Sequence, residues 1–534
     1  MGFLLTTITG LSMTKFQEAT PVTMSAPILG VNVKVPLASM PAGYSPWLVN
    51  ADCDGQKIKV RNGYVIHCVV GASNLDIFAL GTWGSKGASS TNKLYAYCND
   101  GTATQKIYDV STSIESLSDT LADNDASRAF PLSFAKNLIF STNTDWADCN
   151  DRFDGSSWTD WTFTYLASAI GGDVVVSYKS RVYMFFGTNM YYGDLEALGG
   201  AVSLVDLSTV FEQGGPICWA SILSNPGERT DEIYLAIGNI AGEILIYGGD
   251  YPADSTWQLV GRYEISEPIG YNAVNRYRND TFIITDTGIV SLRDLSIKGS
   301  IAAEDLTISS NIDSYWTKLV ENFNLHYWNV PLQANGVFWP ERNQILYLVK
   351  GHIDKDGVAS NDGATMCVYH TINEAWSFHR LLNVDPERMG GLTYYAGNIY
   401  FFVQNTIMTV DLDGYKDEQW DSPGTYAGFD YEIQGAHESF GDSATYKKIV
   451  AIIPLIKTDF AGTSVGVRAV GDFGLSTSDV TQVEIMDGHN KPYYSVGAEG
   501  TYLQYRIEGT SDVESEDGLE LYAVSMIIKS GGRS

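Results

Sequence analysis

The sequence predicts an all-β protein, a β-propeller of about six blades (a range of five to seven) followed by a β-sandwich-like domain, with one amphipathic helix. Three observations lead there. Runs of β-branched and aromatic residues alternate with tight polar turns, as in GGDVVVSYKSRVYMFFGTNMYYGD at 171–194 and EIYLAIGNIAGEILIY at 232–247. Such runs, separated by Asn-Asp, Ser or Gly turns, are hairpin signals. The device returns at 273–292, 337–350 and 390–410, a spacing of roughly 40 to 50 residues that matches small sheets repeated around an axis. Helical periodicity is convincing in one place only. There Ile308, Ile312, Trp316, Leu319, Val320 and Phe323 fall on one face after a Ser309-Ser310 start signal, a stripe of the width that packs against a core.

Along the chain, residues 1–26 carry Thr, Met and Gly without period and stop at Pro27. An extended N-terminal arm, free to pack on a neighbouring subunit, is the expectation. Residues 27–415 hold the hairpins and form the expected propeller. The stretch DLDGYKDEQWDSPGTYAG at 411–428 is acidic and contains Gly and Pro, as a domain boundary does. Beyond it, YKKIVAIIPLI, SVGVRAV, TYLQYRIEGT and LYAVSMIIK are strand-length apolar or alternating runs, so 426–530 reads as the β-sandwich-like domain.

Composition narrows the function. Of 534 residues 44% are hydrophobic and 18% charged, which supports a packed core over disorder. Lys and Arg number 34 against 63 Asp and Glu, a formal charge of -29. That balance argues against ordinary duplex binding by phosphate neutralisation. It suits an acidic wall past which DNA travels without sticking. No basic region precedes the short apolar stretch near Met1, and no apolar run reaches the roughly 20 residues of a membrane helix. Cys53, Cys68, Cys98, Cys149, Cys218 and Cys367 are far apart, with no CxxC pair. Reduced, buried thiols are therefore expected.

The motifs that resemble reactive sites read as turns. Gly462-Thr463-Ser464-Val465-Gly466 has the GxSxG form, but a strand follows where a nucleophile elbow needs a helix. Asp411, Asp413, Asp417 and Glu418 lack calcium-loop spacing. Asp52, Asp54 and Gly55, like Asp354, Asp356 and Gly357, give Asp-x-Asp-Gly, an ordinary turn composition. His67, His326, His352, His370, His379, His437 and His489 show no metal-ligand spacing. The run from Gly81 to Lys86 has the wrong register for a phosphate loop. Sialidase-like propellers repeat an SxDxGxTW turn, yet Asp154-Gly155-Ser156-Ser157-Trp158 occurs once. Accordingly no catalytic, metal-binding or cofactor-binding residue is assigned, and no enzymatic activity is expected. Sequence does not single out the acids that would line a DNA channel.

Several strings, in order, resemble the propeller-containing tail proteins of short-tailed phages, called nozzle, tail tubular B-like or packaged-DNA stabilisation proteins. The opening PILGVNVKVPLASMPAGYSPWLVNADCDGQKIKVRNGY at 27–64 is similar to theirs. So are FEQGGPICWA at 211–220, AGEILIYGGDYPADSTWQLVGRYEISEPIG at 241–270 and NDTFIITDTGIVSL at 279–292. MCVYHTINEAWSFHR at 366–380 matches a strand-closing phrase, with His370 in place of an Asn. The resemblance implies a structural virion protein, assembled in the bacterial cytoplasm, that forms the tail nozzle or hub. Its partners would be identical subunits in a homo-oligomeric ring, a hexamer by the resemblance, together with a tail adaptor and tail fibres or spikes. Exiting DNA would touch it transiently. The alternatives are a head-to-tail stopper of the same particle and a carbohydrate-active or glycan-binding propeller.

Overall fold

The computed structural model describes residues 19–534 except 72–74, 85–90, 100–103, 122–127, 144–149, 225–232, 299–305, 323–335, 383, 385–387, 458–463, 487–488, 491–496, 512–517 and 531–534. Strand accounts for 57% and helix for 6%, so the all-β expectation holds.

Seven antiparallel strand groups follow one another along the chain, and a further small sheet of Phe163–Tyr165, Ser168–Ile170 and Gly200–Ala201 lies between the second and the third. The first comprises Asp76–Trp83, Lys93–Asn99, Gln105–Asp109 and Ser116–Leu121. The second comprises Ala129–Phe134, Asn137–Thr142, Asp151–Phe153 and Trp158–Asp160. Val174–Tyr178, Arg181–Phe186, Asn189–Tyr192 and Ser203–Asp206 make the third, and Ile217–Ser224, Ile233–Asn239, Glu243–Gly248 and Gln258–Glu264 the fourth. The fifth has three strands, Val274–Tyr277, Asp280–Ile284 and Ile289–Ser291. Gly336–Trp339, Gln344–Ile353, Ala359–His370 and Ala375–Leu382 run consecutively as the sixth. The seventh takes Met389–Tyr395, Asn398–Val403 and Thr406–Val410, and then recruits Tyr64–Val69 from far upstream.

Local sequence explains the hairpins. Lys179 and Ser180 link Tyr178 to Arg181 with φ of 43° and 59°, and Ala135-Lys136 and Leu166-Ala167 repeat this pair of left-handed residues. Two consecutive positive φ values fit the turn whose twist matches a two-residue hairpin. None of these pairs is the Asn-Gly that favours it, so flanking strand pairing holds the backbone there. Middle strands such as Glu243–Gly248 and Thr406–Val410 are buried throughout. The outermost strand Gln258–Glu264 is mostly exposed. One close approach demands glycine: a Cβ on Gly238 would lie 2.1 Å from the ring of the buried Trp219 on the neighbouring strand.

The first strands of the seven sheets neighbour one another in sequence order, and the first strand of the seventh returns to lie against that of the first. The sheets thus form a cycle, although none closes on itself. Helix α1 (Leu292–Lys298) continues straight from the last strand of the fifth sheet. Helix α2 (Asp313–Asn322) is the expected amphipathic helix but starts later: Ile308 and Ile312 of the expected stripe lie in the turns before it, and Phe323 lies outside the described residues. Its Trp316 and Leu319 are buried, and the Trp316 indole donates to the Thr285 carbonyl at 2.8 Å. From the sixth sheet, the Trp376 indole donates to the Ile308 carbonyl at 3.0 Å. Two matched indoles therefore fix α2 and the segment leading into it, one tying Trp316 to the fifth sheet's hairpin and the other tying Ile308 to the sixth sheet. The expectation of a single helix is corrected by α1: the apolar run Ile289-Val290-Ser291-Leu292 leads straight into it, so the sequence reads as one continuing strand.

After 428 the chain builds two facing sheets, but not from its own residues alone. One pairs Lys447–Lys457 with Glu520–Ser530, and then Lys57–Val60, Ala51–Asp54 and Thr20–Ser25 join it. The other runs Asp430–Gln434, Leu503–Thr510, Ser464–Gly471 and Thr481–Met486. Ile449, Ile452, Val465, Val467, Tyr505 and Leu521 fill the space between them. Residues 48–60 lie inside the expected propeller segment 27–415, and Thr20–Ser25 inside the expected arm 1–26. Both pair with the C-terminal sheets. Leu48–Val49 also bridges Ala375–Leu382 to Asp430–Gln434, so the sixth sheet runs on into the C-terminal one.

Candidate functional site

Where the N-terminal segment crosses from one sheet to another, a band of buried polar side chains gathers. Gly63 makes the crossing possible: a Cβ there would sit 1.8 Å from the Lys416 carbonyl oxygen, and its N–H donates to the Gly414 carbonyl at 2.9 Å. Beside it Arg61, with a side chain 0% exposed, spends its donors completely. Nε donates to Asn50 Oδ1 at 2.9 Å, and the terminal nitrogens to the carbonyls of Asn62 and Arg380. The same nitrogens grip both Asp417 oxygens, at 2.8 and 2.6 Å. Its plane lies 3.7 Å from the Phe429 ring centroid.

Asp52 is the second centre of this seam. It does not belong to a solvated turn, as the Asp-x-Asp-Gly pattern led one to expect; the turn falls beyond Asp54, at Gly55, and Asp52 is a buried strand residue. Its Oδ1 accepts from His379 Nε2 at 2.8 Å, so the other ring nitrogen accepts from the Tyr64 hydroxyl at 2.8 Å. Burial opposes charge on Asp52, yet His379, His370 and Arg342 together hold its carboxyl well below the ordinary range. Burial likewise lowers His379 and takes His370 down to about 4, so both imidazoles are neutral at pH 7.

His370 also stands 2.9 Å from the Ser377 hydroxyl and 3.6 Å from Asp52, which places Ser, His and Asp together. The geometry is not that of a nucleophile relay. Hydroxyl and carboxylate both face Nε2, whereas a relay needs them on opposite ring nitrogens. Ser377 is also fully buried, and the same Nε2 accepts the Cys53 N–H at 3.3 Å.

The other sequence motifs resolve as structure. Asp417 binds Arg61, and Glu418 accepts the Ile66 and Gly424 N–H groups at 2.9 and 2.6 Å. Asp354 caps its own turn by accepting from Asp356 and Val358. Asp154 does the same for Ser156 and Ser157. Ser464 opens a strand, while Gly462 and Thr463 lie outside the described residues, as do Ser85 and Lys86 of the phosphate-loop candidate. Cys53, Cys68, Cys98, Cys218 and Cys367 are free and buried; Cys149 lies outside the described residues. Among the described residues no three His, Cys, Asp or Glu side chains gather as a metal would need. No described helix is long and apolar enough to cross a membrane.

A second polar region is open. Two cavities of about 560 and 550 Å³ flank Trp47 between the Asp354–Lys355–Asp356 hairpin tip and the C-terminal sheet. Their floor is one face of that sheet, where Glu432 pairs with Glu508 across one rung and Arg468 with Arg506 on another. Arg506 Nε lies 2.5 Å from Glu432 and 3.0 Å from Glu508 but is aligned with neither. At one wall His437, 6% exposed, has no partner for Nδ1, and burial lowers it to about 4. Sequence reasoning missed both regions, since the residues of each come from strands hundreds of positions apart.

At the centre of the seven-sheet cycle, residues that start the first strands meet. Arg128, ahead of the second sheet, binds Asp173 at 2.7 Å and lies 3.9 Å from the ring of Tyr271, which precedes the fifth. Arg388, ahead of the seventh, pairs with Asp76 at the start of the first. The middle is bridged at that end. Neither a protein-family model nor a curated protein matches this chain.

Proposed function

We propose that this chain is a structural subunit of a short-tailed phage tail, the nozzle or hub, built as a seven-bladed β-propeller fused to a β-sandwich. The cycle of first strands supports the propeller, with Tyr64–Val69 as the strand that closes its last blade. Counting blades from that cycle gives seven sheets, against an expectation centred on six.

The observation that carries the functional reading is the sealed polar seam around Arg61 and Asp52. The polar seam spends its donors on the fold, and Arg128 on Tyr271 bridges the propeller's own middle. DNA would then pass between copies arranged in a ring, along walls drawn from a chain of charge -29. Fusion of the sixth sheet with the C-terminal sheet stiffens the joint, as a wall under ejection pressure requires. Mass photometry and negative-stain imaging of the purified chain test this reading. Rings with an axial hole are expected. Monomers at every concentration, with glycan binding on an array, would replace it with the carbohydrate-binding alternative.

A further inference from the structure

The cleft beside Trp47 is mixed in charge, and its first cavity carries Asp354, Asp430, Glu432 and Glu508 beside Lys355, Arg380 and Arg506. Its second cavity is lined by Lys355, Arg468, Arg506 and His437, with Asp356 as the one acid on that lining. Arg468 and Arg506 sit side by side on paired strands, an arrangement that like charges disfavour and that the neighbouring Glu508 and Glu432 offset in part. Glu508 takes one Arg468 nitrogen at 2.9 Å, which leaves Arg468 Nε buried and unpaired. The terminal nitrogens of Arg506 have no hydrogen-bond partner among the described residues. Val35, Leu37 and Phe473 supply apolar walls. Phe473 is 43% exposed and held at φ 60°, after Asp472 at φ 44°. Asp472 is fixed in turn by accepting from the Thr501 and Tyr502 N–H groups at 2.8 and 3.0 Å. A ring kept half in solvent on left-handed backbone costs stability.

An exposed acidic turn with an apolar tip stands on a connection of the third sheet. Asp194, Leu195 and Glu196 form an exposed turn in which Leu195 is 62% exposed. The Asp194 carboxylate has only a long contact, 3.8 Å, to Arg181. A similar Asp411-Leu412-Asp413 tip is less free, because Asp411 already accepts the Asp413 N–H at 3.2 Å.

We propose that the cleft receives the Asp194–Leu195–Glu196 turn of a second copy of this chain, with its carboxylates on the Arg468–Arg506 pair and its leucine against Phe473 and Leu37. Tip and cleft lie on the third sheet and at the sixth, different surfaces of one subunit. Such a contact is head-to-tail, and repetition around an axis closes it into a ring. Charge-assisted pairing fixes the register and the apolar contact excludes water. The inference rests on the ring reading and names the contact that would build it.

The test uses the full chain and mass photometry. A tip variant carries Asp194→Lys and Glu196→Lys, with Leu195→Ser alone as a milder companion. A cleft variant carries Lys355→Glu and Phe473→Gly, where glycine suits the left-handed backbone. All positions are on exposed turns, so thermal midpoints should stay near wild type. Each variant alone should assemble at least tenfold more weakly than wild type. Mixed one to one, tip and cleft variants should give dimers and nothing larger, since a mixed pair retains one intact contact. Rings from either variant as readily as from wild type would overturn this contact while leaving the ring reading in place. A wild-type chain that never assembles would remove both.

Discussion

Arg61, just past Lys57–Val60, and Arg506, on Leu503–Thr510, both lie among carboxylates, and they have opposite fates. Arg61 is sealed, bidentate on Asp417 and stacked on Phe429, with each donor matched. Arg506 is close to Glu432 and Glu508 without alignment, and its outer nitrogens face a cavity. Burial alone does not distinguish structural from available charge. Completeness of hydrogen bonding does, because a buried donor without a partner carries a desolvation cost that a matched one avoids.

The comparison breaks most easily at the seam. Arg61→Met should strip Asp417 of its partner and cost on the order of 3 to 5 kcal/mol. Arg506→Met should cost less than half of that; equal shifts in the urea midpoint would erase the distinction. Next in size is the N-terminal strand. Deleting residues 1–25 removes Thr20–Ser25 from the edge of Glu520–Ser530 along with the buried Met24, a loss of about 2 to 4 kcal/mol. Deleting only 1–18 should leave the denaturation curve unmoved, and a matching loss would relocate the stabilising contact upstream.

Acid sharpens the contrast further. His370 is neutral in the fold and its value falls from 6.5 to about 4 through burial. Its stability contribution is therefore complete above pH 6.5 and fades as pH falls toward 4, by roughly 3 kcal/mol in all. His370→Gln should flatten the stability profile in that window. Asp52 titrates lower and is lost only under stronger acid. Raised carboxyls such as Asp173 and Asp280, which burial pushes up, run in the opposite sense, so the difference between variant and wild type is the quantity to measure. An identical profile would mean that His370 is solvated.

The smallest effect belongs to the cleft's rim, where Phe473→Gly should stabilise the chain by up to about 1 kcal/mol by relieving left-handed strain. A loss on chemical denaturation would show instead that the ring packs productively on His437.

Sequence disclosed what is local. The hairpin at Tyr178 and Arg181 and the stripe that became α2 announce themselves within a few residues. What it concealed is pairing between remote segments. Tyr64–Val69 with Thr406–Val410, and Thr20–Ser25 with Glu520–Ser530, leave no periodic trace, because a strand's pattern records which faces are buried and not which neighbour buries them. Asp52 was read as a turn residue since the Asp-x-Asp-Gly pattern at 52–55 is centred two positions before the true hairpin, whose turn joins Asp54 to Lys57. His370 and His379 looked solitary until the register of their strands brought both to Asp52.

That remote closure has a bearing on synthesis. When Tyr64–Val69 leaves the ribosome its partner Thr406–Val410 does not yet exist, so at the usual pace of about 5 to 20 residues per second the strand waits on the order of tens of seconds with its edge bare. Nascent chains would spend that interval vulnerable to pairing with one another, and recombinant yield should respond to slower growth temperature or added chaperone more than to any surface substitution.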